Sequence, residues 1–338
     1  MKGGLSGAGI ALALGGAAAA QTVPLGAHLE RFDYPFPVRW FETSSQGASV
    51  RMAYQDVAPT GTPNGRTVVL LHGKNFCAAT WEATLRALSA AGTRVIAPDQ
   101  IGFCKSSKPA GYQYSFHAMA TLTRNLLAAA GVAGPVDLVG HSTGGILAVR
   151  YALLFPDRVR SVVLVNPLGL NDTIAEGVPY ADLGELRAGE ERTDAASIRA
   201  YQQRVYYGGR WTPAYDRWTQ MLAGQYAGPD GHVVRDAQAR LSDMIQTQPV
   251  AHELGRVAVP VTLIIGDRDL TAFRGTSAPP ALRDRIKAVP AAAAAAVGRF
   301  RDGRLVTLRG LGHSPQVEAP DIFHAALLRT LGNRRLRK

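Results

Sequence analysis

Ser142 stands at the centre of Gly140-His141-Ser142-Thr143-Gly144, between an apolar strand candidate (Val136, Leu138, Val139) and an apolar helix candidate (Ile146, Leu147, Val149). A GxSxG run in that setting predicts a nucleophile elbow, a sharp strand-to-helix turn that projects a serine hydroxyl beside backbone N–H groups. The hydroxyl is a poor nucleophile near neutral pH and needs a base for its proton, with a carboxylate to orient the base. Both follow in the order Ser, Asp, His. Gly266-Asp267-Arg268-Asp269 comes after the apolar run at 261–265, and Gly310-Leu311-Gly312-His313-Ser314-Pro315 comes after the run at 304–308. Spacing alone leaves Asp267 and Asp269 equivalent as the acid. His313, on a glycine loop after a strand, is preferred as base over His324, which lies in a helical run, and over His252, which lies in a linker. His141 adjoins the nucleophile but should point away from its side chain, as a structural residue. Acyl chemistry also requires N–H donors for an oxyanion. The backbone of Thr143 is one candidate, and the loop His72-Gly73-Lys74-Asn75-Phe76 after the first core strand should supply the other.

The elements that must position these residues are legible from periodicity. Pro37-Val38-Arg39-Trp40-Phe41 and Val50-Arg51-Met52-Ala53-Tyr54 alternate apolar and polar positions, which predicts a half-exposed hairpin. From Thr67 the pattern changes to short continuous apolar runs at 68–71, 95–97, 136–139 and 162–165, separated by helical segments. Runs without alternation are buried on both faces, the signature of a parallel sheet covered by helices. The pattern stops near Leu168 and resumes at 261–265 and 304–308. The intervening chain is polar, helical in outline and rich in aromatics: Tyr201, Tyr206, Tyr207, Trp211, Tyr215, Trp218 and Tyr226. It reads as an insertion after a strand, where ligand sites of such sheets lie, and at least half of its aromatics are expected to pack its own core. Thr212-Pro213 predicts a helix start with threonine as N-cap. The alanine-rich stretch at 290–297 reads as a helical turn or a flexible excursion.

The chain of 338 residues, 46% hydrophobic and 19% charged, is long enough for one large core with an inserted subdomain or for two domains. Its net charge of +11 comes from basic residues spread along the chain, without a basic helix carrying interleaved aromatics, so nucleic acid is not the expected partner. Met1-Lys2, the apolar residues 10–14 and Ala18-Ala19-Ala20 predict a signal peptide over 1–20, interrupted by Gly15-Gly16 and shorter than the roughly twenty apolar residues of a membrane span. Export to the periplasm or medium and no membrane span are expected. In an oxidising compartment Cys77 and Cys104 could pair, worth about 3 kcal/mol; two buried thiols are the alternative.

These motifs resemble the α/β-hydrolase fold with a helical cap, in the group that includes esterases, meta-cleavage-product hydrolases, haloalkane dehalogenases and epoxide hydrolases. Leu71-His72-Gly73 resembles the family's oxyanion turn, 99–106 its DxxGxGxS loop, and Gly312-His313-Ser314-Pro315, with Glu318 and Pro320, the segment bearing its base. The resemblance implies a mostly parallel central sheet with helices on both faces, a core over 21–168 and 255–338, and a cap over 169–254. It implies Ser142, Asp269 and His313 as the triad, with the backbone N–H groups of Lys74 and Thr143 as oxyanion donors. Two residues depart from the family pattern. Lys74 replaces a small or apolar residue, and its side chain either admits an anionic substrate or points outward. Cys104 replaces the second glycine of the DxxGxGxS loop. Dehalogenases and epoxide hydrolases of this group carry an aspartate nucleophile where this chain has Ser142, so alkyl displacement is not expected. The expected function is hydrolysis of a carboxylic ester or related acyl bond of a small, largely apolar molecule through an acyl-enzyme. Carbon–carbon bond hydrolysis of the meta-cleavage type and a non-turnover binding protein with a retained triad are the alternatives. Neither metal nor cofactor is expected, and monomer and dimer remain open.

Overall fold

The continuous apolar runs become parallel strands of one eight-stranded sheet, all inside it except the run at 304–308, which forms an edge with Leu305 exposed. The computed structural model describes residues 22–332; the expected signal peptide and the basic tail at 334–338 lie outside them. The strands are β1 (Val38–Ser45), β2 (Ala48–Val57), β3 (Thr67–Leu71), β4 (Arg94–Pro98), β5 (Val136–His141), β6 (Val159–Val165), β7 (Val261–Gly266) and β8 (Gly303–Leu308). Their order across the sheet is β1-β2-β4-β3-β5-β6-β7-β8. The hairpin β1–β2 is longer than its sequence pattern and joins antiparallel at the β4 edge; β4 through β8 run parallel.

Successive residues of the parallel strands enter two different cores. Val69, Leu71, Leu138, Val162, Leu164 and Leu263 pack under one set of helices, and Val68, Leu70, Val139, Val163, Val165 and Ile264 under the other. The helices are α1 (Glu82–Ala90), α2 (Phe116–Ala129), α3 (Thr143–Leu154), α4 (Thr173–Glu176), α5 (Leu183–Glu191), α6 (Ala195–Tyr201), α7 (Asp216–Tyr226), α8 (Gly231–Thr247), α9 (Val289–Ala296), α10 (Pro315–Glu318) and α11 (Pro320–Gly332). Residues of α2, α3 and α9 line the first core; residues of α1 and α11 line the second. Burial on both faces explains why these strands show no alternation. The alanine-rich stretch is the helix α9, which turns Ala292, Ala293 and Ala296 inward.

Helices α4 to α8 all lie between β6 and β7, in the stretch where the strand pattern stops. Asp182 and Asp194 cap α5 and α6, each by a reciprocal pair of bonds with the residue three positions on. At Thr212-Pro213 the structure differs from expectation. Pro213 opens a short 3₁₀ turn into α7, but the Thr212 side chain makes no capping bond. The fixed φ of proline starts the turn there without it. Of the aromatics, Tyr206, Tyr207 and Tyr215 form a buried cluster with Phe76, and Tyr207 stacks on Tyr215 with centroids 3.8 Å apart. Among the described residues no helix is long and apolar enough to cross a membrane.

Candidate active site

Parallel strands deliver their C-terminal loops to one edge of the sheet, which is where this fold class places its ligands. His72 follows β3, Asp99 follows β4, Ser142 follows β5, Asn166 follows β6, Asp269 follows β7 and His313 follows β8. Ser142 sits at φ 53°, ψ −119°, a strained position for a residue with a side chain. The chain folds so tightly there that a Cβ at Gly140 would lie 2.3 Å from the Gly144 carbonyl oxygen, and one at Gly144 would lie 2.2 Å from the Leu71 oxygen. Only glycine fits at both, which is the physical content of the GxSxG pattern.

His313 Nδ1 donates to Asp269 Oδ2 at 2.7 Å, with both side chains fully buried. That bond selects the tautomer of a neutral imidazole in which Nε2 carries a lone pair. His313 Nε2 is buried and has no hydrogen-bond partner among the described residues, so it is free to take a proton from a hydroxyl. Asp269 is held in turn: Oδ1 accepts the Thr271 N–H at 2.8 Å, and Oδ2 accepts Asn166 Nδ2 at 2.7 Å. The structure distinguishes the two aspartates that spacing left equivalent. Asp267 Oδ1 accepts the Gly310 N–H at 2.7 Å and braces the loop leading to His313.

His141 braces the backbone of His313. Its Nε2–H donates to the His313 carbonyl at 2.9 Å, and the two rings lie 4.9 Å apart. Burial, and next the neighbouring His313, hold His141 well below the ordinary histidine range, so it is neutral. His324 meets Thr84 on α1 at 3.1 Å, and His252 pairs with Asp172 at 3.1 Å on the surface; neither approaches Asp269.

The peptide units Gly73–Lys74 and Ser142–Thr143 are pinned alike. The Gly73 carbonyl accepts His72 Nδ1–H at 2.9 Å and the Phe76 N–H at 3.1 Å, while His72 Nε2 accepts the Gln100 N–H at 3.0 Å. The Ser142 carbonyl accepts the N–H groups of Gly145 at 2.9 Å and Leu168 at 3.1 Å. In a trans peptide the N–H points opposite to the C=O. The N–H groups of Lys74 and Thr143 are thereby aimed away from those bonds, and neither has a protein acceptor among the described residues. Two fixed, unpaired N–H groups near a serine can receive a developing oxyanion without reorganising.

The Lys74 side chain does neither of the things the sequence suggested. Its ammonium donates to Glu190 Oε1 on α5 at 2.9 Å, and Tyr226 OH on α7 donates to Glu190 Oε2 at 2.9 Å. A charge so paired ties the core loop to the overlying helices and is not left free for an anion. Cys77 and Cys104 form a disulfide, with Cα atoms 5.8 Å apart, that joins the loop after β3 to the 99–106 loop. Cys104 has φ 48°, the left-handed conformation that explains why a glycine is the common choice at that position. Cys77, Asp99 and Cys104 converge as metal ligands would. Both sulfurs are consumed by the disulfide, and Asp99 accepts from Tyr34 OH, Ala78 N–H and Lys105 N–H at 2.6–3.1 Å, so these donors do not fit a metal.

Sequence reasoning missed Asn166, Tyr206 and Glu190. A polar residue closing the apolar run of β6 was a usable signal for Asn166; nothing local marks the other two.

The model of the alpha/beta hydrolase fold family matches residues 66–286. A solved structure described as a probable hydrolytic enzyme, from Pseudomonas aeruginosa PAO1, is 48% identical and superposes with a TM-score of 0.90 over 92% of this chain and 99% of that one. The 2-hydroxy-6-oxo-2,4-heptadienoate hydrolase of Pseudomonas putida is 36% identical over 117 residues, 34% of this chain; the match spans only 42% of that hydrolase. Haloalkane dehalogenase 2 of Mycobacterium bovis is 28% identical over 315 residues, 88% of this chain and 96% of that enzyme. With its eight-stranded, mostly parallel sheet flanked by helices and a family match over most of its length, the chain belongs to the alpha/beta hydrolase fold family.

Proposed function

We propose that the protein is a serine hydrolase that cleaves a carboxylic ester or related acyl bond of a small, largely apolar molecule lodged between the sheet edge and the helical cap, 169–254. The observation that carries this reading is the buried His313–Asp269 bond of 2.7 Å, with an unpartnered His313 Nε2, at the edge that also bears the strained Ser142. Ser142 Oγ attacks the carbonyl carbon while His313 Nε2 takes its proton. The oxyanion lies against the N–H groups of Lys74 and Thr143, and Asp269 stabilises the imidazolium. Collapse breaks the acyl–oxygen bond, and the leaving alkoxide departs with the proton from His313. Water, deprotonated by the same imidazole, then frees the acid and restores Ser142. A serine rather than an aspartate at position 142 separates this chemistry from alkyl displacement, despite the similarity to a haloalkane dehalogenase.

The similarity to the P. putida heptadienoate hydrolase supports a second reading, hydrolysis of a carbon–carbon bond in a vinylogous diketone by the same residues. We also propose export of the protein, which the Cys77–Cys104 disulfide supports because cytosolic thiols are kept reduced. Mature protein that begins at Met1 would sink that part.

The test is intact-mass labelling with a fluorophosphonate of the wild type, Ser142→Ala and His313→Ala. One adduct on the wild type and none on either variant is expected, followed by steady turnover of p-nitrophenyl esters. No adduct under conditions that label a control hydrolase overturns the reading. Turnover of a vinylogous diketone without ester turnover moves the second reading to first place, and a persistent adduct-free, turnover-free ligand complex points to a binding protein.

A further inference from the structure

Tyr206 ends a single π-helical turn, Gln202–Tyr206, in the cap. Such turns occur frequently at functional sites. Its backbone carbonyl accepts the His313 N–H at 2.9 Å, and its ring lies over the His313 imidazole with centroids 4.5 Å apart and planes 27° from parallel. At its other end the phenol oxygen accepts Asn75 Nδ2–H at 2.8 Å, from the residue that follows Lys74. Phe76 of the same loop stacks on the ring at 5.7 Å. The approach to the base is possible because residue 312 is glycine: a Cβ there would lie 1.8 Å from the Tyr206 carbonyl oxygen.

We propose that Tyr206 is a positioning residue, acting from the cap, that sets the plane of the His313 imidazole and seats the oxyanion loop, so that base and N–H donor keep one mutual geometry. This rests on the serine hydrolase reading above. A single bond from Nδ1 to Asp269 leaves an imidazole free to tilt about the Nδ1···Oδ2 axis, and Nε2 has no partner to stop it. A flat ring stacked on its face resists that tilt. Displacement of a catalytic group by about 1 Å can cost about 10²-fold in rate, so a side chain that never touches the substrate can still govern kcat. Burial, then the neighbouring Tyr201, holds the Tyr206 hydroxyl well above the ordinary tyrosine range. It therefore remains a neutral phenol and serves Asn75 as an acceptor rather than acting as a base.

The experiment compares Tyr206→Leu, Tyr206→Phe, Asn75→Ala and the Tyr206→Phe/Asn75→Ala double variant with the full-length wild type. The readouts are melting temperature, kcat and KM on a p-nitrophenyl ester, and the second-order rate of fluorophosphonate labelling. Tyr206→Leu is expected to lower kcat and the labelling rate together by about 10- to 100-fold, with KM nearly unchanged. Tyr206→Phe keeps the stacked ring and should recover most of that loss. The remaining deficit should match that of Asn75→Ala, and the double variant should be no worse than either single. A raised KM with wild-type kcat and labelling rate in Tyr206→Leu would make Tyr206 only a wall of the pocket and overturn the proposal. Should the leucine variant not fold, the phenylalanine and Asn75 variants decide: a shared, non-additive loss of kcat supports the proposal, and wild-type kcat in both overturns it. If the wild type neither labels nor turns over, the hydrolase reading fails separately. The far-downfield proton resonance of His313 Nδ1 then becomes the readout in Tyr206→Phe and, where it folds, Tyr206→Leu; a moved or broadened signal upholds the positioning role, and an unchanged one removes it.

Discussion

Asn166 and His313 converge on the same atom: Asn166 Nδ2 and His313 Nδ1 each lie 2.7 Å from Asp269 Oδ2. Asn166 also accepts the Gly266 N–H through Oδ1 at 3.1 Å, so one side chain ties the end of β6 to β7 and to Asp269. It does so from φ 42°, a conformation in which asparagine is among the better-tolerated residues. Asn166→Ala should cost about 1–3 kcal/mol, because a buried carboxylate and a buried N–H each lose a partner. Its kcat should fall, but less than that of Asp269→Asn. Urea unfolding beside steady-state kinetics checks both statements; an unchanged stability would show that water replaces the amide.

The two aspartates of the loop after β7 should separate cleanly. Asp269→Asn retains the shape but loses the charge that selects the His313 tautomer, and kcat should drop by about 10³- to 10⁴-fold. Asp267→Asn keeps an acceptor for the Gly310 N–H and should stay within about threefold of wild type. Equal losses in the two variants would contradict this assignment.

Lys74 should separate by atom. Its proposed oxyanion donor is the backbone N–H, which Lys74→Met preserves, so fluorophosphonate labelling should survive within about tenfold. The melting temperature should drop, because Glu190, mostly buried, loses its cation and keeps only Tyr226. Glu190→Gln in the Lys74→Met background should restore part of that loss, which thermal denaturation at neutral pH would show.

The disulfide closes a loop with a sequence separation of 27 residues. The chain-entropy model gives it about 3–4 kcal/mol. Cys77→Ala/Cys104→Ala and reduced wild type should unfold at the same lower denaturant concentration, and reductant should not affect the double variant. Both should also label more slowly, since Cys77 lies three residues beyond Lys74, the proposed oxyanion donor.

Lys108 is buried with its Nζ donating to the Cys104 carbonyl at 2.6 Å and has no paired carboxylate among the described residues. Burial lowers it to about 7, against the opposing pull of Asp99 and Glu30. Between pH 7 and about 10.4 the unfolded chain holds this proton and the folded chain does not. Stability from this group therefore rises with pH across that window, and the full cost of the buried charge is felt below pH 7. Lys108→Met should raise the melting temperature most at pH 6, with a gap that narrows by pH 9. A gap independent of pH would mean that the ammonium stays charged in the fold.

Much of the fold is written locally. Continuous apolar runs are long enough to bury on both faces, and that suffices to announce β3 through β7, while the antiparallel pair β1–β2 shows in its alternation. Ser142 is legible because a strained turn forces glycines at short range, at 140 and 144. His313 is legible because it follows a strand on a glycine loop. Asp267 and Asp269 are two residues apart on one loop, and no local rule says which carboxylate turns inward; the choice is made by Thr271, Asn166 and His313 acting on Asp269, and by Gly310 acting on Asp267.

The sequence by itself determined the order of chemical groups along the sheet edge, since strand period, turn glycines and the Ser, Asp, His succession depend on neighbours a few residues away. Only the tertiary structure decided what those groups touch. The Lys74 ammonium meets Glu190 across 116 residues, Tyr206 meets His313 across 107, and Cys77 joins Cys104 across 27. Each of these contacts depends on how the helical segment between β6 and β7 lies over the sheet or how two loops meet at its edge, and that is set by the packing of whole helices and strands, which no short stretch of sequence encodes.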